Sequence, residues 1–271
     1  MTSGRSPDVS RTARQWRLGE ARARPIVRAT PRETAVGIAY DSRPYVVVMA
    51  SPTDVEDLAR GFTVSEQVAP FGSIQSVRVT ETPDGLLADV LLDPLAGTRL
   101  AKARRRTLES RSSCGLCGVE TLREAMRPIA TVGPGPRVTR AAIQRALGEL
   151  EAGQALGDRT RATHAAAWAD ATGAVSLVRE DVGRHNALDK AVGAALAAGL
   201  DANAAMIIVT SRCSYEMVEK TAAAGVSILV AISAPTDLAI TKAEACGLTL
   251  IALARGDGHT VFTGPERVLD P

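Results

Sequence analysis

Aromatic residues are scarce in this 271-residue chain, since phenylalanine, tryptophan and tyrosine together make up only 3% of it. This scarcity argues against the base-stacking platforms of proteins that bind single-stranded nucleic acid. The net charge is only +2, so the chain as a whole lacks the basic surplus of a general nucleic-acid binder. We therefore expect no nucleic-acid partner.

Long apolar runs are also absent from the sequence. No run reaches the ~18 residues of a membrane-spanning helix, and no apolar signal core follows the first five residues. Hydrophobic residues make up 45% of the chain and charged residues 23%, close to the average of soluble globular proteins. We expect a cytoplasmic protein of one large or two small domains, with no membrane partner.

Cysteine is limited to four residues, too few to form a disulfide scaffold in a chain of this length. Two nucleotide-binding motifs, G-x-x-x-x-G-K-[ST] and G-x-G-x-x-G, are missing as well. The sequence therefore indicates neither a Walker NTPase nor a Rossmann dehydrogenase.

Positive charge is concentrated at the start of the chain. Residues 1–32 contain eight arginines against Asp8 and Glu20, which leaves the remainder of the chain net negative. With proline and serine interspersed, this composition predicts a flexible basic arm, a solvated and mobile tail.

Residues 33–135 are predicted to form a small α+β domain that ends in a cysteine-containing loop. Strand-like runs at 35–40 and 45–49 form one hairpin, and runs at 74–79 and 86–92 form another. Between them, Ser51 is suited to cap a helix. A Pro/Gly stretch at residues 133–136 indicates the boundary of the next domain.

Residues 136–271 are predicted to form an α/β cofactor-binding domain. Apolar strand-like runs alternate with Ala-rich helical stretches, which indicates a parallel-containing sheet covered by helices. The strand runs lie at 174–178, 205–209, 227–232 and 248–253, and the helical stretches at 187–198, 215–224 and 237–246.

Polar and basic side chains follow all four predicted strands, in loops 180–186, 210–214, 233–237 and 254–259. Ligands bind beyond the carboxyl ends of parallel strands, where helix N-termini favour anions. Arg184, Arg212 and Arg255 could add charge-assisted contacts to phosphate. Alternatively, these loops are polar simply because they are exposed, and Ser233 and Thr236 are helix caps.

Cys114-Gly115-Leu116-Cys117-Gly118 is the sharpest chemical feature of the sequence. A structural zinc site would need further ligands, and Cys213 and Cys246 stand alone, so we expect no zinc. A thioredoxin-type disulfide centre would follow a strand rather than an arginine-rich stretch. The third hypothesis, which we favour, is an exposed thiol that carries sulfur as a persulfide, with nearby arginines stabilising the reactive thiolate.

The remaining candidate residues have less distinctive surroundings. Cys246 precedes a glycine at a helix end and is expected to be a small core residue. Cys213 lies in a predicted site loop, and its role is left open. His164 and His185 are each expected to be structural, but His185 has the better functional case because its loop belongs to the predicted site.

Six segments of the sequence, taken in order, closely resemble the FdhD-type formate dehydrogenase accessory sulfurtransferases, over about residues 33–267. They are Arg32-Glu33-Thr34, Gly61-Phe62-Thr63-Val64-Ser65-Glu66, Ser113-Cys114-Gly115-Leu116-Cys117-Gly118, Glu180-Asp181-Val182-Gly183-Arg184-His185-Asn186-Ala187-Leu188-Asp189-Lys190, Ser211-Arg212 with Ser214-Tyr215-Glu216-Met217, and Ser233-Ala234-Pro235-Thr236.

The resemblance implies a cytoplasmic, dimeric sulfur carrier that serves formate dehydrogenase. Sulfur would come from a cysteine desulfurase onto Cys114 as a persulfide, with Cys117 assisting or sharing the role. It would then pass to the molybdenum of bis-molybdopterin guanine dinucleotide, whose GDP-like moieties the protein would bind. The larger domain would resemble the cytidine deaminase fold without its zinc.

The candidate cofactor-binding residues fall into two groups, and only the first of them is implied by the resemblance. The first is a guanine-dinucleotide segment near the C-terminus: Leu253, Ala254, Arg255, Gly256, Asp257 and Gly258. The second comes from the three earlier loops: Arg184, His185, Ser211, Arg212 and Ser233. Two other functions stay open: a non-catalytic chaperone that binds the molybdenum cofactor, and a thiol–disulfide oxidoreductase.

Overall fold

The computed structural model describes residues 5–20, 22–104 and 129–269. The predicted carrier residues Cys114 and Cys117 lie outside these ranges. None of the helices within them is long and apolar enough to cross a membrane.

The basic segment at the start of the chain forms an antiparallel hairpin of strands β1 (Asp8–Gln15) and β2 (Arg24–Pro31). The segment predicted as a solvated, mobile tail thus contains a regular pair of strands. Cross-strand pairing continues without interruption from Asp8 opposite Pro31 to Gln15 opposite Arg24. The hairpin is nevertheless largely exposed, as expected for a segment so rich in arginine.

A small α+β unit follows, with a four-stranded sheet in the order β4-β3-β6-β5. Its strands are β3 (Thr34–Tyr40), β4 (Arg43–Ala50), β5 (Ile74–Thr82) and β6 (Gly85–Leu92), and its helices are α1 (Val55–Ser65) and α2 (Pro94–Arg104). The central β3 and β6 run parallel, and both outer pairs are antiparallel hairpins. The two predicted hairpins are therefore confirmed.

Helix α1 begins three residues later than its sequence suggests. The predicted cap Ser51 is fully buried, and its backbone N–H donates to the carboxylate of Asp181 at 2.9 Å. Asp54 occupies the N-cap position instead, in the left-handed conformation at φ 54°. A contact between residues 130 positions apart thus decides where this helix starts.

The larger unit is built on a six-stranded mixed sheet in the order β13-β12-β11-β10-β8-β9. Its strands are β8 (His164–Asp170), β9 (Val175–Asp181), β10 (Ala205–Val209), β11 (Ile228–Ala231), β12 (Thr249–Arg255) and β13 (Gly258–Val261), and β7 (Val138–Thr139) pairs separately with β14 (Val268–Leu269). Strands β10, β11 and β12 are mutually parallel, which confirms the predicted parallel-containing sheet.

Helices cover both faces of this sheet. They are α3 (Arg140–Ala152), α4 (Ala155–Thr160), α5 (Arg184–Ala197), α6 (Tyr215–Ala223) and α7 (Asp237–Cys246). Side chains alternate along β10, so that Ile207 packs with α5, α6 and α7 while Ile208 packs with α3. The helices that follow β9, β10 and β11 therefore all lie on one face.

Residues 129–135 pack with the larger unit, although the Pro/Gly stretch at residues 133–136 predicts a boundary after them. Ile129 and Val132 pack against the core of the larger unit, and the Val132 N–H donates to the carbonyl of Cys246 at 2.9 Å. The change of unit therefore falls before residue 129.

The two units meet where α1 crosses α5 at very short range. A side chain at Gly61 would overlap the backbone carbonyl of Asp189, and one at Gly193 would overlap that of Asp57. Only glycine permits this approach of one helix backbone to another. The crossing fixes the small unit against the helix whose N-terminus lies at the predicted site.

Candidate functional site

The four polar loops do meet at one edge of the large sheet, as predicted. Strand β8 is antiparallel to both β9 and β10, so β9 runs in the same direction as β10, β11 and β12. We call the edge formed by the carboxyl ends of these four strands, together with the start of β8 at His164, the polar edge. From β9 to β12 it spans four strand spacings, about 19 Å.

The first loop of the polar edge is held by Asp181, which is fully buried. One carboxylate oxygen accepts from the backbone N–H of Ser51 and lies 2.6 Å from the ammonium of Lys190. The other accepts from the N–H of Gly183 at 2.8 Å and from the side chain of Asn186 at 3.0 Å. A buried charge satisfied on all sides fixes the backbone around it. Asp181 thus sets the position of the α5 N-terminus.

Arg184 and His185 are the first residues of α5, and both are half-buried. His185 Nε2 lies 3.0 Å from Glu216 Oε2 of α6, off the line of an aligned hydrogen bond. This contact with His185 lowers the pKa of the Glu216 carboxyl. Burial, together with the charge of Arg184, lowers the pKa of His164. The polar edge therefore places a neutral imidazole, a guanidinium and an imidazole–carboxylate pair side by side.

The second and third loops are joined to each other. The N–H of Cys213 donates to the carbonyl of Ala234 at 3.3 Å, and the N–H of Thr236 donates to the carbonyl of Cys213 at 2.9 Å. Within the joined loops Ser211 is buried and Arg212 is exposed. The two loops consequently form one rigid part of the edge.

Cys213 and Cys246 are both fully buried. Burial raises the pKa of the Cys213 thiol to about 12 and also raises that of Cys246. Since the thiolate is the reactive form, neither residue is suited to carry sulfur. Both thiols lie in the hydrophobic core, which for Cys246 is the expected position.

The predicted C-terminal segment begins with a distorted strand end. Leu253 is exposed and adopts φ 52°, at a register shift between β12 and β13. Such a conformation is rare for a leucine and is typical of functional sites. Its N–H donates to the carbonyl of Ser233 at 3.2 Å, which links the third and fourth loops. Ala254 is buried, whereas the side chain of Arg255 is exposed.

The turn that follows Arg255 forms one wall of a groove of about 480 Å³. The groove is lined by Gly256, Asp257, Gly258 and His259 on one side and by Thr139, Arg140, Ala141 and Gln144, at the start of α3, on the other. Within this groove, the buried Nδ1 of His259 has no hydrogen-bond partner. The structure thus places the turn of the C-terminal segment beside the start of α3, and neither Arg184 nor His185 lines this groove.

A second buried ionic cluster joins the two units behind the polar edge. The Lys220 ammonium lies 2.9 Å from Asp189 and 2.6 Å from Glu66, and it donates to the Ser65 hydroxyl at 3.0 Å. Burial alone would lower the pKa of Lys220, but these two carboxylates raise it. Sequence reasoning assigned no role to these residues, although three of them fall within the family-like segments.

Residues suited to hold a metal ion do not cluster in the parts of the chain described by the structure. The absence of zinc stays a prediction. The sulfur-carrying role of Cys114 and Cys117 stays a prediction as well.

Fold and site together define a two-unit α/β protein with a polar edge where its parallel strands end. The model of the FdhD/NarQ family matches residues 31–269, and the chain belongs to that family. This confirms the resemblance drawn from the sequence motifs.

Several relatives are similar over most of their length. The chain is 43% identical over 237 residues to the "Sulfur carrier protein FdhD" of Bordetella petrii, covering 87% of this chain and 85% of the relative. It is also 43% identical over 255 residues to the protein of the same name from Cupriavidus necator, covering 94% and 88% respectively. A crystal structure of a formate dehydrogenase accessory protein from Desulfotalea psychrophila has the same fold, with a TM-score of 0.75 at 23% identity, covering 97% of this chain and all of that one.

Proposed function

We propose that this protein is a sulfur carrier required for formate dehydrogenase activity. The observation that carries the proposal is membership of the FdhD/NarQ family over nearly the whole chain, with relatives above 40% identity that are named sulfur carrier proteins. The polar edge adds a binding region for the acceptor of that sulfur.

The sulfur would be carried by Cys114. Of the four cysteines, Cys213 and Cys246 are excluded by burial and by their raised thiol pKa values, which leaves the pair at 114 and 117. In loading, the Cys114 thiolate attacks the outer sulfur of a persulfide on a cysteine desulfurase. A new S–S bond forms on Cys114, the desulfurase persulfide bond breaks, and the desulfurase cysteine leaves as a thiolate, so no external oxidant is needed.

Onward transfer would deliver the sulfur to the molybdenum of bis-molybdopterin guanine dinucleotide, the acceptor substrate. Release of the outer sulfur as sulfide needs two electrons. Cys117 could supply them by attacking Cys114 and closing a disulfide, which gives the second cysteine a defined role.

The acceptor fits the described residues at two places. Phosphate groups are stabilised by helix N-termini and arginines, and the polar edge offers the start of α5 with Arg184. The groove beside α3 offers the helix N-terminus, Arg140 and the unpartnered Nδ1 of His259, which suit a polar heterocycle or phosphate. We propose that GDP-like moieties bind along this edge.

The finer features of this proposal are a cytoplasmic location, a homodimer, contact with formate dehydrogenase itself, and a larger unit of the cytidine deaminase type without zinc. They rest on the resemblance of the sequence motifs to the family.

Mass spectrometry of the intact protein, after incubation with a cysteine desulfurase and cysteine, tests the carrier role directly. We expect a gain of one sulfur atom that is lost in Cys114→Ala and retained in the control Cys213→Ala. Sulfur gain in Cys114→Ala would refute the assignment of the carrier residue.

The same measurement separates the two other functions. A non-catalytic cofactor chaperone would show no sulfur gain and would still activate formate dehydrogenase without either cysteine of the pair. A thiol–disulfide oxidoreductase would show reversible loss of two hydrogens between Cys114 and Cys117, again without added sulfur.

A further inference from the structure

The β1–β2 hairpin, residues 8–31, has basic and apolar side chains that are largely exposed among the residues that the structure describes. We propose that this arginine hairpin is a docking element for an acidic protein surface. The proposal is separate from the polar edge and from the sulfur chemistry.

Most of the hairpin's arginines have no acidic partner. Asp8 pairs with Arg159 of α4 and Glu20 with Arg24, so both carboxylates of the segment are already engaged. Within the described ranges, no carboxylate approaches within ion-pair distance of the five other arginines: Arg11, Arg14, Arg17, Arg22 and Arg28. The hairpin therefore retains a strong positive field.

Two of these arginines are placed unfavourably in the free protein. Arg11 and Arg28 lie directly opposite each other across the two strands, and both are exposed. Like charges at such a position destabilise a strand pair. A partner carboxylate between them would remove this repulsion.

The tip of the hairpin presents large apolar side chains to solvent. Trp16 is 67% exposed and Leu18 is fully exposed, and Val27 further down the hairpin is 72% exposed. Tryptophan and arginine are the residues most enriched among the energetic centres of protein interfaces. The tip is therefore suited to a shallow apolar pocket surrounded by acidic residues.

The base of the hairpin is held to the body of the protein. Arg159 lies 3.1 Å from Asp8, and Arg5 donates to the carbonyl of Thr82 at 3.1 Å. The N–H of Arg32 also donates to the carbonyl of Pro7 at 2.7 Å. A fixed base with a projecting tip presents the binding residues with less conformational entropy to lose than a free tail.

Protein is the partner class that fits this arrangement. A nucleic-acid strand would need a series of stacking rings, and the hairpin has one aromatic residue. A second copy of the chain as the partner is tested below by the oligomeric state of the hairpin variant.

Binding of the full-length protein to its cysteine desulfurase and to formate dehydrogenase, measured by calorimetry over a range of salt concentrations, tests the proposal. The choice of these two probes rests on the proposed function. We expect salt-dependent binding of at least one of them. The double variant Arg11→Glu/Arg28→Glu should weaken it about tenfold or more. The charge-matched control Arg43→Glu/Arg78→Glu, on the small sheet, should bind as the unchanged protein does.

Tryptophan fluorescence gives a direct readout, because the chain has two tryptophans and Trp168 is buried. Acrylamide should quench the exposed Trp16 in the free protein and lose access to it in the complex. The proposal would be overturned if acrylamide quenching of Trp16 did not change on binding, or if the control variant lost as much affinity as the hairpin variant. Absence of binding to both proteins would overturn it as well.

Three further outcomes would also overturn it. These are binding to RNA alone, binding to anionic vesicles alone, and dissociation of a homodimer by the hairpin variant. If the variant still bound the desulfurase normally and gained sulfur, the docking proposal would fail while the carrier function stood. If the hairpin bound the desulfurase but no sulfur was gained, the carrier function would fail while the docking proposal stood.

Discussion

The contact between α1 and α5 depends on the absence of a side chain at Gly61. In Gly61→Ala the added methyl group would overlap the carbonyl of Asp189 and crowd the N–H of Gly193, both of them backbone atoms of α5. Backbone within a helix cannot rotate aside as a flexible side chain can, so the two helices must separate. The substitution therefore acts on the whole contact between the units.

The expected cost follows from two opposing effects. Overpacking costs about 1–3 kcal/mol, and a backbone obstacle places this site near the upper limit. Alanine in place of glycine within a helix raises the free energy of unfolding by about 0.5–1 kcal/mol. We expect Gly61→Ala to lower the free energy of unfolding by about 2 kcal/mol, roughly a thirtyfold change in the folding equilibrium.

Gly148 provides a matched control in the same chain. It lies on the exposed side of α3 with no atom near its missing side chain, so Gly148→Ala should stabilise the protein by about 0.5–1 kcal/mol. Urea denaturation followed by the fluorescence of the buried Trp168 measures both variants. Equal stability of Gly61→Ala and the unchanged protein would show that the helices are not in close contact in solution.

Three further predictions concern the polar edge and its surroundings. With its pKa raised to about 12, Cys213 should resist iodoacetamide at pH 8 in the folded protein and react once unfolded; rapid native labelling would contradict its burial. His185 lowers the pKa of the Glu216 carboxyl in the folded state. The contribution of this carboxylate to folding stability is therefore fully present at pH values above the ordinary pKa of 4.5, and it is lost as the pH falls through the lowered pKa. The stability difference between the unchanged protein and Glu216→Gln should therefore shrink on acidification below that value, and a constant difference would exclude the contact. Arg255→Ala should weaken guanosine diphosphate binding about tenfold by calorimetry, since a charge-assisted contact is lost, while Arg43→Ala should leave the affinity unchanged.

The regular part of the larger unit is well predicted because its pattern is local. The run at 205–209 matches β10 at both ends, and the stretch at 237–246 matches α7. Strand β8 is missed because alanine fills it and has low strand propensity; it forms because β9 and β10 pair with it on either side. Helix α3 was also missed, although Ile143, Leu147 and Leu150 lie at a spacing that predicts an amphipathic helix.

Only part of the candidate site can be predicted from the sequence. Alternating strands and helices suffice to gather Arg184, Arg212 and Ser233 at one edge. The buried contacts of Asp181 and Lys220 join residues more than 120 positions apart, so no local pattern reveals them. The basic hairpin is missed for a different reason, since its arginines suggest a solvated tail while its strands form by pairing with each other.

The arginine hairpin and the net-negative remainder of the chain carry opposite charge, a separation that the net charge of +2 conceals. A protein of this kind rotates in the field of a charged surface before it touches it, with the hairpin leading. It should therefore be retained on a cation-exchange resin more strongly than other proteins of the same net charge. The arginine hairpin should be the part of the molecule that contacts the resin.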